Sequence, residues 1–433
     1  MKKRMIALTL AVLCISLCAC GEDVPIQTTP AFSTQPTAPE TTPAQIPTTP
    51  PQAVQNGDIK AIWLSQFDLS PIYLGGDGQR SQKDFTAKME TVLNNVVSSG
   101  FNTVFLQIRP NGDSMYPSEF YPQSAYVTGA LGKEAEYDPV AIIVALAHDR
   151  NLSIHAWINP MRGMGEEEIT LVSRQYAIRR WYDSDSVRGK YIVLVDGKWY
   201  LNPAYKEVSD LIVSGAEEAL TRYDFDGLHM DDYFYPTTDP SFDAIAYNAF
   251  GGGKTLAEFR RGNLNLLVKR LYEMTHSLEG NRVFGISPAG NAESVYNEQY
   301  ADIYAWCARS GYIDYICPQV YFGLEHGSLD FQKVCNAYSQ MIKTEDVQLI
   351  IGMTFGKALS GEDNWAGDGK YEWAENKDVL KRSLEATKGL AHCRGVSVFC
   401  YQYLFDPLTG APIPETAQER ENFLPALKAI SWQ

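Results

Sequence analysis

Residues 153–160 read Ser-Ile-His-Ala-Trp-Ile-Asn-Pro, a run in which every second side chain is small or aliphatic and the others are aromatic or polar. Residues 102–109 (Asn-Thr-Val-Phe-Leu-Gln-Ile-Arg) and 227–234 (Gly-Leu-His-Met-Asp-Asp-Tyr-Phe) alternate in the same way. Because successive side chains of a strand point to opposite faces, the apolar face of each run is predicted to pack under helices. The other face becomes polar toward the end of each run and is predicted to line the inside of a closed sheet.

Eight such runs follow one another from residue 59 onward, and an amphipathic stretch follows each. The predicted strands are residues 61–67, 102–109, 153–160, 227–234, 283–290, 315–322, 348–355 and 395–402. The predicted helices are residues 83–98, 139–150, 205–222, 255–278, 296–309, 328–343, 376–390 and 416–430. Eight consecutive βα units are the pattern of an α/β protein folded as a (β/α)8 TIM barrel. A doubly wound sheet is the alternative, but no G-x-G-x-x-G turn follows the first run, which argues against its dinucleotide-binding form.

Polar side chains are expected at one end of this barrel. The carboxyl ends of the strands surround a single mouth, where barrel enzymes place their chemistry. The residues predicted to form this mouth are Arg109, Asn159, Asp231, Ser287, Gln319, Tyr321, Thr354 and Tyr401. Residues 161–204, the long β3–α3 connection, contain a hairpin signal at Asp196-Gly197. This insertion is predicted to be either a flap over the mouth or a decoration without function.

Two adjacent acids close the fourth strand and are followed by three aromatic residues, in the order Asp231-Asp232-Tyr233-Phe234-Tyr235. Burying a carboxylate costs several kcal/mol unless it is paired. One interpretation is therefore a structural ion pair between Asp231 and either Arg109 or a histidine. The combination of carboxyl groups with aromatic rings favours glycoside cleavage, in which carboxyl groups act as acid and as nucleophile or base.

The N-terminus predicts export and anchoring. Basic residues 2–4 precede a short apolar run at 5–17, and the following Leu17-Cys18-Ala19-Cys20 is similar to a bacterial lipobox. Residues 1–19 are thus predicted to be a lipoprotein signal peptide, and a lipid on Cys20 would anchor an extracytoplasmic protein to the bacterial membrane. Residues 20–58 are rich in Pro and Thr and are predicted to be a linker that acts as a tether. Residues 59–433 are predicted to form the barrel domain.

Composition excludes several classes of protein. With 45% hydrophobic residues the chain can bury a large core, so general disorder is excluded. A net charge of −15 argues against nucleic acid as a partner, because phosphate contacts need clustered Lys and Arg. The cysteines after residue 300 form no CxxC pair and are predicted to be buried free thiols. No cofactor is predicted, and the oligomeric state stays open.

Residues 225–236, Phe-Asp-Gly-Leu-His-Met-Asp-Asp-Tyr-Phe-Tyr-Pro, closely resemble the core motif of the bacterial glycosyl-hydrolase-like family 10 domain. Other matching segments occur in the family's order between residues 59 and 405. They are Trp63-Leu64, Gln107-Ile108-Arg109-Pro110, Gly112-Asp113, Tyr116-Pro117-Ser118, Tyr137-Asp138-Pro139, residues 155–162, Leu201-Asn202-Pro203, Arg260-Arg261, Gly285-Ile286-Ser287-Pro288, Asp314-Tyr315 and Pro318-Gln319-Val320-Tyr321. The resemblance implies a TIM barrel. It also implies, as for some members, a lipoprotein that cuts peptidoglycan glycan strands stripped of their stem peptides.

Roles can then be assigned as expectations. Asp231 is predicted to be a catalytic carboxylate, acting as nucleophile or stabilising an oxocarbenium-like state, with Arg109 keeping it ionised. Asp232, Asp113 and Glu325 are the candidates for its acid partner. If the sugar carries a 2-acetamido group, its carbonyl could act as the nucleophile while the two adjacent acids orient and protonate. The predicted substrate-binding residues are Gln107, Arg109, His155, Asn159, His229, Tyr233, Gln319 and Tyr321.

Two other functions remain open at this point. His155, His229 and Asp231 lie on adjacent strands with the same sidedness, and such a set binds a divalent metal in polysaccharide deacetylases. No short ligand-spacing motif supports that reading, and no metal site is predicted. The other alternative is a tethered glycan-binding protein without catalysis. Loss of Asp231 would leave its binding intact.

Overall fold

The computed structural model describes residues 57–432, and eight parallel strands in it close into a barrel. They are Ile59–Leu64 (β1), Thr103–Arg109 (β2), Ser153–Ile158 (β3), Gly227–Met230 (β4), Val283–Ile286 (β5), Tyr315–Ile316 (β6), Gln348–Thr354 (β7) and Cys393–Phe399 (β8). Neighbours in the chain are neighbours in the barrel, and β8 pairs with β1 to close it. The predicted TIM barrel is confirmed. The predicted signal peptide, Cys20 and nearly all of the tether lie outside the described residues.

Helices cover the outside of the barrel close to the predicted bounds. The α-helices are Gln66–Tyr73, Gln82–Ser99, Ala125–Thr128, Pro139–His148, Ala177–Asp183, Lys206–Arg222, Ala244–Phe250, Leu256–Ser277, Ala292–Asn297, Ile303–Ala308, Phe331–Met341, Gly356–Ser360, Glu372–Glu375, Val379–Ala386 and Ala417–Ala429. Single 3-10 turns are Glu168–Leu171, Pro240–Phe242, Gly367–Tyr371, Tyr401–Tyr403 and Pro414–Thr416. The predicted helix 296–309 is two short helices instead, because Tyr300 adopts the left-handed region (φ 57°) and interrupts it.

The alternation of the strands separates two apolar cores. Val104 and Leu106 of β2 face the helices and belong to the large outer core. Trp63, Phe105 and Trp157 face inward and fill the barrel itself. Parity along each strand therefore decides which core a side chain enters, as the sequence predicts.

Two strands depart from the predicted pattern. β6 is a strand only over Tyr315–Ile316, because Pro318 lacks the N–H that a ladder needs; single bridges at Gln319 resume the pairing. In β2 the register shifts between Gln107 and Arg109. This bulge changes the direction of Arg109, with consequences for the site.

The insertion after β3 forms its own antiparallel sheet. Its strands are Arg162–Gly165, Ile192–Val195 and Lys198–Leu201, in the order first, third, second. The predicted hairpin is confirmed: Asp196 and Gly197 both have positive φ (47° and 75°), as a type I′ turn requires. Gly163 allows the close packing of this sheet, since a Cβ there would lie 2.3 Å from the Trp199 carbonyl oxygen.

The remaining structural expectations concern membrane segments and cysteines. Within residues 57–432, no helix combines the length and the apolar character that a membrane crossing requires. In the same part of the chain the cysteines are buried and unpaired, as predicted; they are Cys307, Cys317, Cys335, Cys393 and Cys400.

Candidate active site

Asp231 lies directly after β4 at the carboxyl end of the barrel and is almost fully buried. Its Oδ2 accepts hydrogen bonds from the indole Nε1 of Trp157, at 3.1 Å, and from Nδ2 of Asn159. Its Oδ1 accepts only a long bond, 3.3 Å, from the backbone N–H of Tyr233. Two donors therefore occupy Oδ2, and Oδ1 is the oxygen available to carry a proton.

The electrostatics of the acid pair favour a neutral Asp231. Burial raises the pKa of the Asp231 carboxyl well above its usual range, and the adjacent Asp232 carboxyl raises it further. Burial also raises the pKa of Asp232, against the lowering effects of a hydrogen bond with Gln319 and of the nearby Arg162 charge. Two adjacent buried carboxyls repel each other when both are ionised, which favours a state with one proton between them. The proton belongs on Asp231, which is the more buried of the two.

A chain of amides orients Asp231 from behind. The backbone N–H of Gln66 donates to Oε1 of Gln107 at 2.7 Å, and Nε2 of Gln107 donates to Oδ1 of Asn159 at 2.8 Å. Asn159 is thereby left with its amino group facing Asp231. Gln66 is the first residue of the helix Gln66–Tyr73, whose capping box fixes this N–H in place. The position of the Gln66 N–H at the start of this helix thus fixes the donor and the acceptor of each hydrogen bond in the chain that ends at the Asp231 carboxyl.

Arg162 provides the positive charge at this mouth. It is the first residue of the insertion sheet, and its guanidinium lies 4.3 Å from the centroid of the Tyr233 ring. It lowers the pKa of both Asp231 and Asp232. Tyr233 is 39% exposed and lines the same cavity as the acid pair.

Two spaces open at this end of the barrel. The first, which we call the inner cavity, has a volume of about 110 Å³ and is lined by Trp63, Ser65, Gln66, Phe67, Gln107, Trp157, Arg162, Asp231, Asp232, Tyr233, Gln319, Tyr321 and Phe399. The second, the outer groove, has a volume of about 500 Å³ and is lined by Tyr200, Asp232, Tyr233, Phe234, Tyr235, Pro236, Thr237, Thr238, Ser294, Glu298 and Gln299. The insertion contributes Arg162 to the first and Tyr200 to the second, so it is part of the walls of the site.

Among the predicted site residues, the structure brings several together in the inner cavity. They are Asp231, Asp232, Gln107, Tyr233, Gln319 and Tyr321. Asn159 also reaches the site, but it is wholly buried and touches Asp231, so it positions the carboxyl group rather than contacting substrate. The prediction of Asn159 as a substrate contact is corrected accordingly.

His155 and His229 do not reach the mouth. Both are buried inside the barrel, where their Nδ1 atoms share the hydroxyl of Tyr315 at 2.9 and 2.8 Å. Burial lowers the pKa of His155 to about 4 and that of His229 well below its usual value. Their inward parity was predicted correctly. Their role as substrate contacts is wrong, because they are buried among aromatic rings inside the barrel, His229 against Trp63 and His155 against Phe105, and neither lines the inner cavity or the outer groove.

The predicted position of Arg109 at the mouth is also wrong. The bulge in β2 turns it outward, where it donates to the hydroxyl of Tyr121 and lies 4.6 Å from that ring's centroid. Arg109 does not line the inner cavity. It is also not one of the groups that shift the pKa of Asp231. Arg162, not Arg109, therefore acts on the acid pair.

Asp113 and Glu325 fail as acid partners for geometric reasons. Asp113 is buried in its own loop, where Oδ1 accepts from the backbone N–H of Asn111 at 2.8 Å and the carboxyl bonds the Ser124 side chain. Glu325 is exposed, and its backbone N–H donates to Glu372. Neither lines the inner cavity or the outer groove. Asp113 is therefore a loop-fixing residue, and Asp232 alone remains of the three candidates.

Three more predicted mouth residues lie elsewhere. Thr354 donates to the Phe399 carbonyl, and Tyr401 accepts from Asn95 on the helix Gln82–Ser99. Ser287 is fully buried against Cys317. Tyr401 falls in a 3-10 turn, so the strand alternation ends before it. The direction of a side chain can be predicted from strand alternation only as far as the strand extends.

Arg162 is the functional residue that sequence reasoning missed. In the sequence it is only the last residue of the matching segment 155–162. A signal existed: it is a cation three residues after Asn159, at the point where β3 leaves the barrel and the insertion begins.

The donor set does not favour the deacetylase alternative. The two histidines direct Nδ1 at Tyr315, and Asp231 instead bonds Trp157 and Asn159. Within residues 57–432, no group of three or more His, Cys, Asp or Glu side chains is arranged to hold a metal ion.

Comparison with known proteins places this site in a family. The sequence profile of the family described as Glycosyl hydrolase-like 10 matches residues 58–366. The chain belongs to this family. Glycosyl hydrolase YngK of Bacillus subtilis (strain 168) is 31% identical over an alignment of 363 residues that covers 78% of this chain and 68% of the relative. Glycosyl hydrolase DigH of Escherichia coli (strain K12) is 28% identical over 428 residues, covering 92% of this chain and 93% of the relative.

Solved structures share the fold of this glycosyl-hydrolase-like 10 chain at low identity. The PgaB (BpsB) glycoside hydrolase domain from Bordetella bronchiseptica superposes with a TM-score of 0.51 at 12% identity, covering 85% of this chain and 99% of that one. The catalytic domain of β-amylase from Paenibacillus polymyxa superposes with the same TM-score at 9% identity and the same coverage. The expected family resemblance is confirmed by the profile, and these structures support the fold.

Proposed function

We propose that this protein is a glycoside hydrolase that cuts the glycan strands of bacterial peptidoglycan, acting on strands without stem peptides. The observation that carries the proposal is the Asp231–Asp232 pair on the wall of a cavity lined with aromatic rings and amides. Membership of a glycosyl-hydrolase-like family supports glycan hydrolysis. The choice of peptidoglycan rests on the resemblance described for the sequence.

Asp231 is assigned the role of general acid and Asp232 that of the ionised partner, the reverse of the roles expected from the sequence, because burial raises the pKa of Asp231, the more buried of the two. Its Oδ1 proton moves to the glycosidic oxygen, the bond from that oxygen to the anomeric carbon breaks, and the leaving sugar departs with its new hydroxyl. The positive charge that develops on the sugar ring is stabilised by Asp232 in its ionised form. Water completes the reaction, and its proton passes to the carboxyl pair. The amide chain through Asn159 keeps Oδ2 as acceptor, so the proton stays on Oδ1.

Anchoring by a lipid on Cys20 is part of the proposal. With a Pro- and Thr-rich tether of 38 residues after it (residues 21–58), such an anchor would hold the barrel at the outer face of the membrane, within reach of the wall. Labelling of growing cells with a radioactive fatty acid tests it. Label that persists in Cys20→Ala would contradict it.

The test of the activity is the release of reducing ends from peptide-free peptidoglycan glycans, followed by mass analysis. Wild-type protein is expected to shorten the strands, and Asp231→Asn is expected not to. Asp224→Asn is the matched control, since Asp224 is half-exposed at the opposite end of β4. A protein that binds the strands equally well with and without Asp231, and releases nothing in either form, is a glycan-binding protein and not a hydrolase.

A further inference from the structure

Asp68 is a fully buried carboxyl group near the ends of β1 and β8, the first and last strands, whose pairing closes the barrel. It lies in the first turn of the helix Gln66–Tyr73, which follows β1. Burial raises the pKa of Asp68 to about 6, and among the described residues no Lys, Arg or His is one of the groups that lower it. A buried carboxyl without a cation is costly unless several donors satisfy it.

Donors from both strand ends satisfy Asp68. Its Oδ2 accepts from the backbone N–H of Ser65, at 2.7 Å, and from the Ser65 hydroxyl. Its Oδ1 accepts, at 2.7 Å, from the backbone N–H of Gln402 in the 3-10 turn Tyr401–Tyr403 that follows β8. One carboxylate therefore ties the residue after β1 to the turn after β8. The titratable side chains that face Asp68 from the β8 side are Cys400, Tyr401 and Tyr403.

The amide chain that orients Asp231 begins one residue after Ser65. Because Gln66 follows Ser65 directly, the bonds of the capping box set the direction in which the Gln66 N–H points. This N–H donates to Gln107, Gln107 donates to Asn159, and the Asn159 amino group donates to Asp231. All four of these residues are buried, so a displacement of the first donor is passed along the chain rather than absorbed by solvent.

We propose that Asp68 is a positioning residue of this hydrolase: it holds the start of the helix Gln66–Tyr73 against the end of β8 and thereby keeps the Asn159 amino group on Oδ2 of Asp231. The inference rests on the proposed hydrolase activity. Asp68 lines neither the inner cavity nor the outer groove, so it acts through the amide chain. Its loss changes proton transfer by Asp231 and leaves substrate binding as it is.

Another capping box in the chain supplies the matched control. At the start of the helix Leu256–Ser277, Glu258 accepts from the backbone N–H and the hydroxyl of Thr255, both at 2.8 Å. Both residues are exposed, and neither lines the inner cavity or the outer groove. Asp68→Asn is therefore compared with Glu258→Gln, and Ser65→Ala with Thr255→Ala. Ser65→Ala breaks the same capping box without removing a charge, and it takes the place of Asp68→Asn if that variant does not fold.

Asp68→Asn and Ser65→Ala are each expected to lower kcat about threefold to fivefold on peptide-free peptidoglycan glycans, with KM nearly constant, as for one weakened hydrogen bond. The alkaline limb of the pH–rate profile should move to higher pH, because the Asn159 donor stabilises the ionised form of Asp231. A move to lower pH in Asp68→Asn would be the direct effect of removing a negative charge and overturns the inference. A change confined to KM, or the same fall in the control variants, also overturns it.

A double-mutant cycle separates positioning from a general loss of stability. If Asp68 acts through Asn159, the double variant Asp68→Asn with Asn159→Ala has the same kcat as Asn159→Ala alone. Independent effects multiply, and that result would make Asp68 a cap with a structural role only. Urea unfolding curves on the same samples establish that each variant is folded under the assay conditions.

Failure of the hydrolase proposal itself gives a different result. If wild type releases no reducing ends, the Asp231 carboxyl is titrated directly by NMR of protein that is isotope-labelled at its aspartate carboxyl carbons. Its signal is identified by its loss in Asp231→Asn. The pKa of Asp231 is then expected to rise in Asp68→Asn and Ser65→Ala and to stay constant in Glu258→Gln and Thr255→Ala. An unchanged pKa in the first two variants overturns the positioning role.

Discussion

His155 and Asn159 enter the barrel from the same segment of chain, four residues apart, yet they belong to different layers. The lower layer, His155, His229 and Tyr315, is closed: the two Nδ1 atoms share one hydroxyl, and no member lines the inner cavity or the outer groove. The upper layer, with Asn159 and Asp231, opens onto the inner cavity. Inward-facing polar residues are thus common to both layers. What separates a structural group from a functional one is height along the barrel axis.

Burial shifts the pKa values of the two layers in opposite directions for the same physical reason. It disfavours charge, so it lowers the pKa of His155 to about 4 and raises that of Asp231. Burial therefore favours the neutral form of both groups. A neutral histidine in the closed layer does not contact substrate. A neutral carboxyl beside a cavity can donate a proton to a bound substrate.

Asp231→Asn is the sharpest way to separate the layers. We expect kcat to fall about a thousandfold, the usual contribution of a general acid. The fold should persist, because the Asn oxygen can still accept from Trp157 and Asn159. Reducing-end kinetics and a urea unfolding curve on the same sample measure both effects. Loss of folding in step with loss of activity would argue that Asp231 belongs to the structural layer.

Tyr315→Phe makes the opposite change. Without the hydroxyl, His155 and His229 each lose a buried hydrogen bond, and we expect a loss of about 2–4 kcal/mol in the free energy of unfolding. The kcat should stay within about twofold, since this layer touches no substrate. Tyr338→Phe is the control, because the buried Tyr338 hydroxyl has a single partner, the Ala289 carbonyl. A large fall in kcat at unchanged stability would place Tyr315 in the catalytic layer.

Asn159→Ala tests the amide chain between the layers. Loss of its donor frees Oδ2 of Asp231, so the proton is no longer confined to Oδ1. We expect kcat to fall about threefold to tenfold, with KM nearly constant, as for a lost hydrogen bond between neutral groups of about 0.7–1.4 kcal/mol. The alkaline limb of the pH–rate profile should also move, which simple loss of packing would not cause. A change confined to KM would make Asn159 a substrate contact after all.

The pH dependence of stability should show opposite slopes for the two layers. The pKa of His155 is about 4 when folded and about 6.5 when unfolded, so its contribution is present above pH 6.5 and lost as pH falls toward 4. The pKa of Asp231 is raised on folding, so its contribution is present below about pH 4 and lost as pH rises through the folded value.

Urea unfolding of His155→Asn and Asp231→Asn across this range measures these slopes. Relative to wild type, the first variant should gain stability only toward acid and the second only toward alkali, by up to about 1.4 kcal/mol per pH unit for one proton. Curves parallel to that of wild type would mean that neither group changes its proton affinity on folding.

Much of this site follows from the sequence. Alternation alone places Asp231, Gln319 and Tyr321 at the carboxyl end of the barrel, and the acid pair with its following aromatics marks the chemistry. Arg109 shows the limit of predicting side-chain direction from alternation. A single bulge in β2 turns Arg109 outward, and no local sequence pattern predicts a bulge at Ile108. Tyr401 fails for a related reason, since β8 ends at Phe399 and alternation holds only while the strand continues.

The chain by itself indicated the barrel, because eight apolar-faced runs of period two, each followed by a helix, are the pattern of a (β/α)8 barrel, and the tertiary structure decided between a closed and an open sheet. It also determined which side chains point inward. The tertiary structure alone decided how deep each of them lies and which cation meets the acids. Depth depends on the register between strands that are far apart in sequence. Arg162 lies in the insertion sheet, and the sequence patterns of β3 and β4 do not predict where that sheet packs.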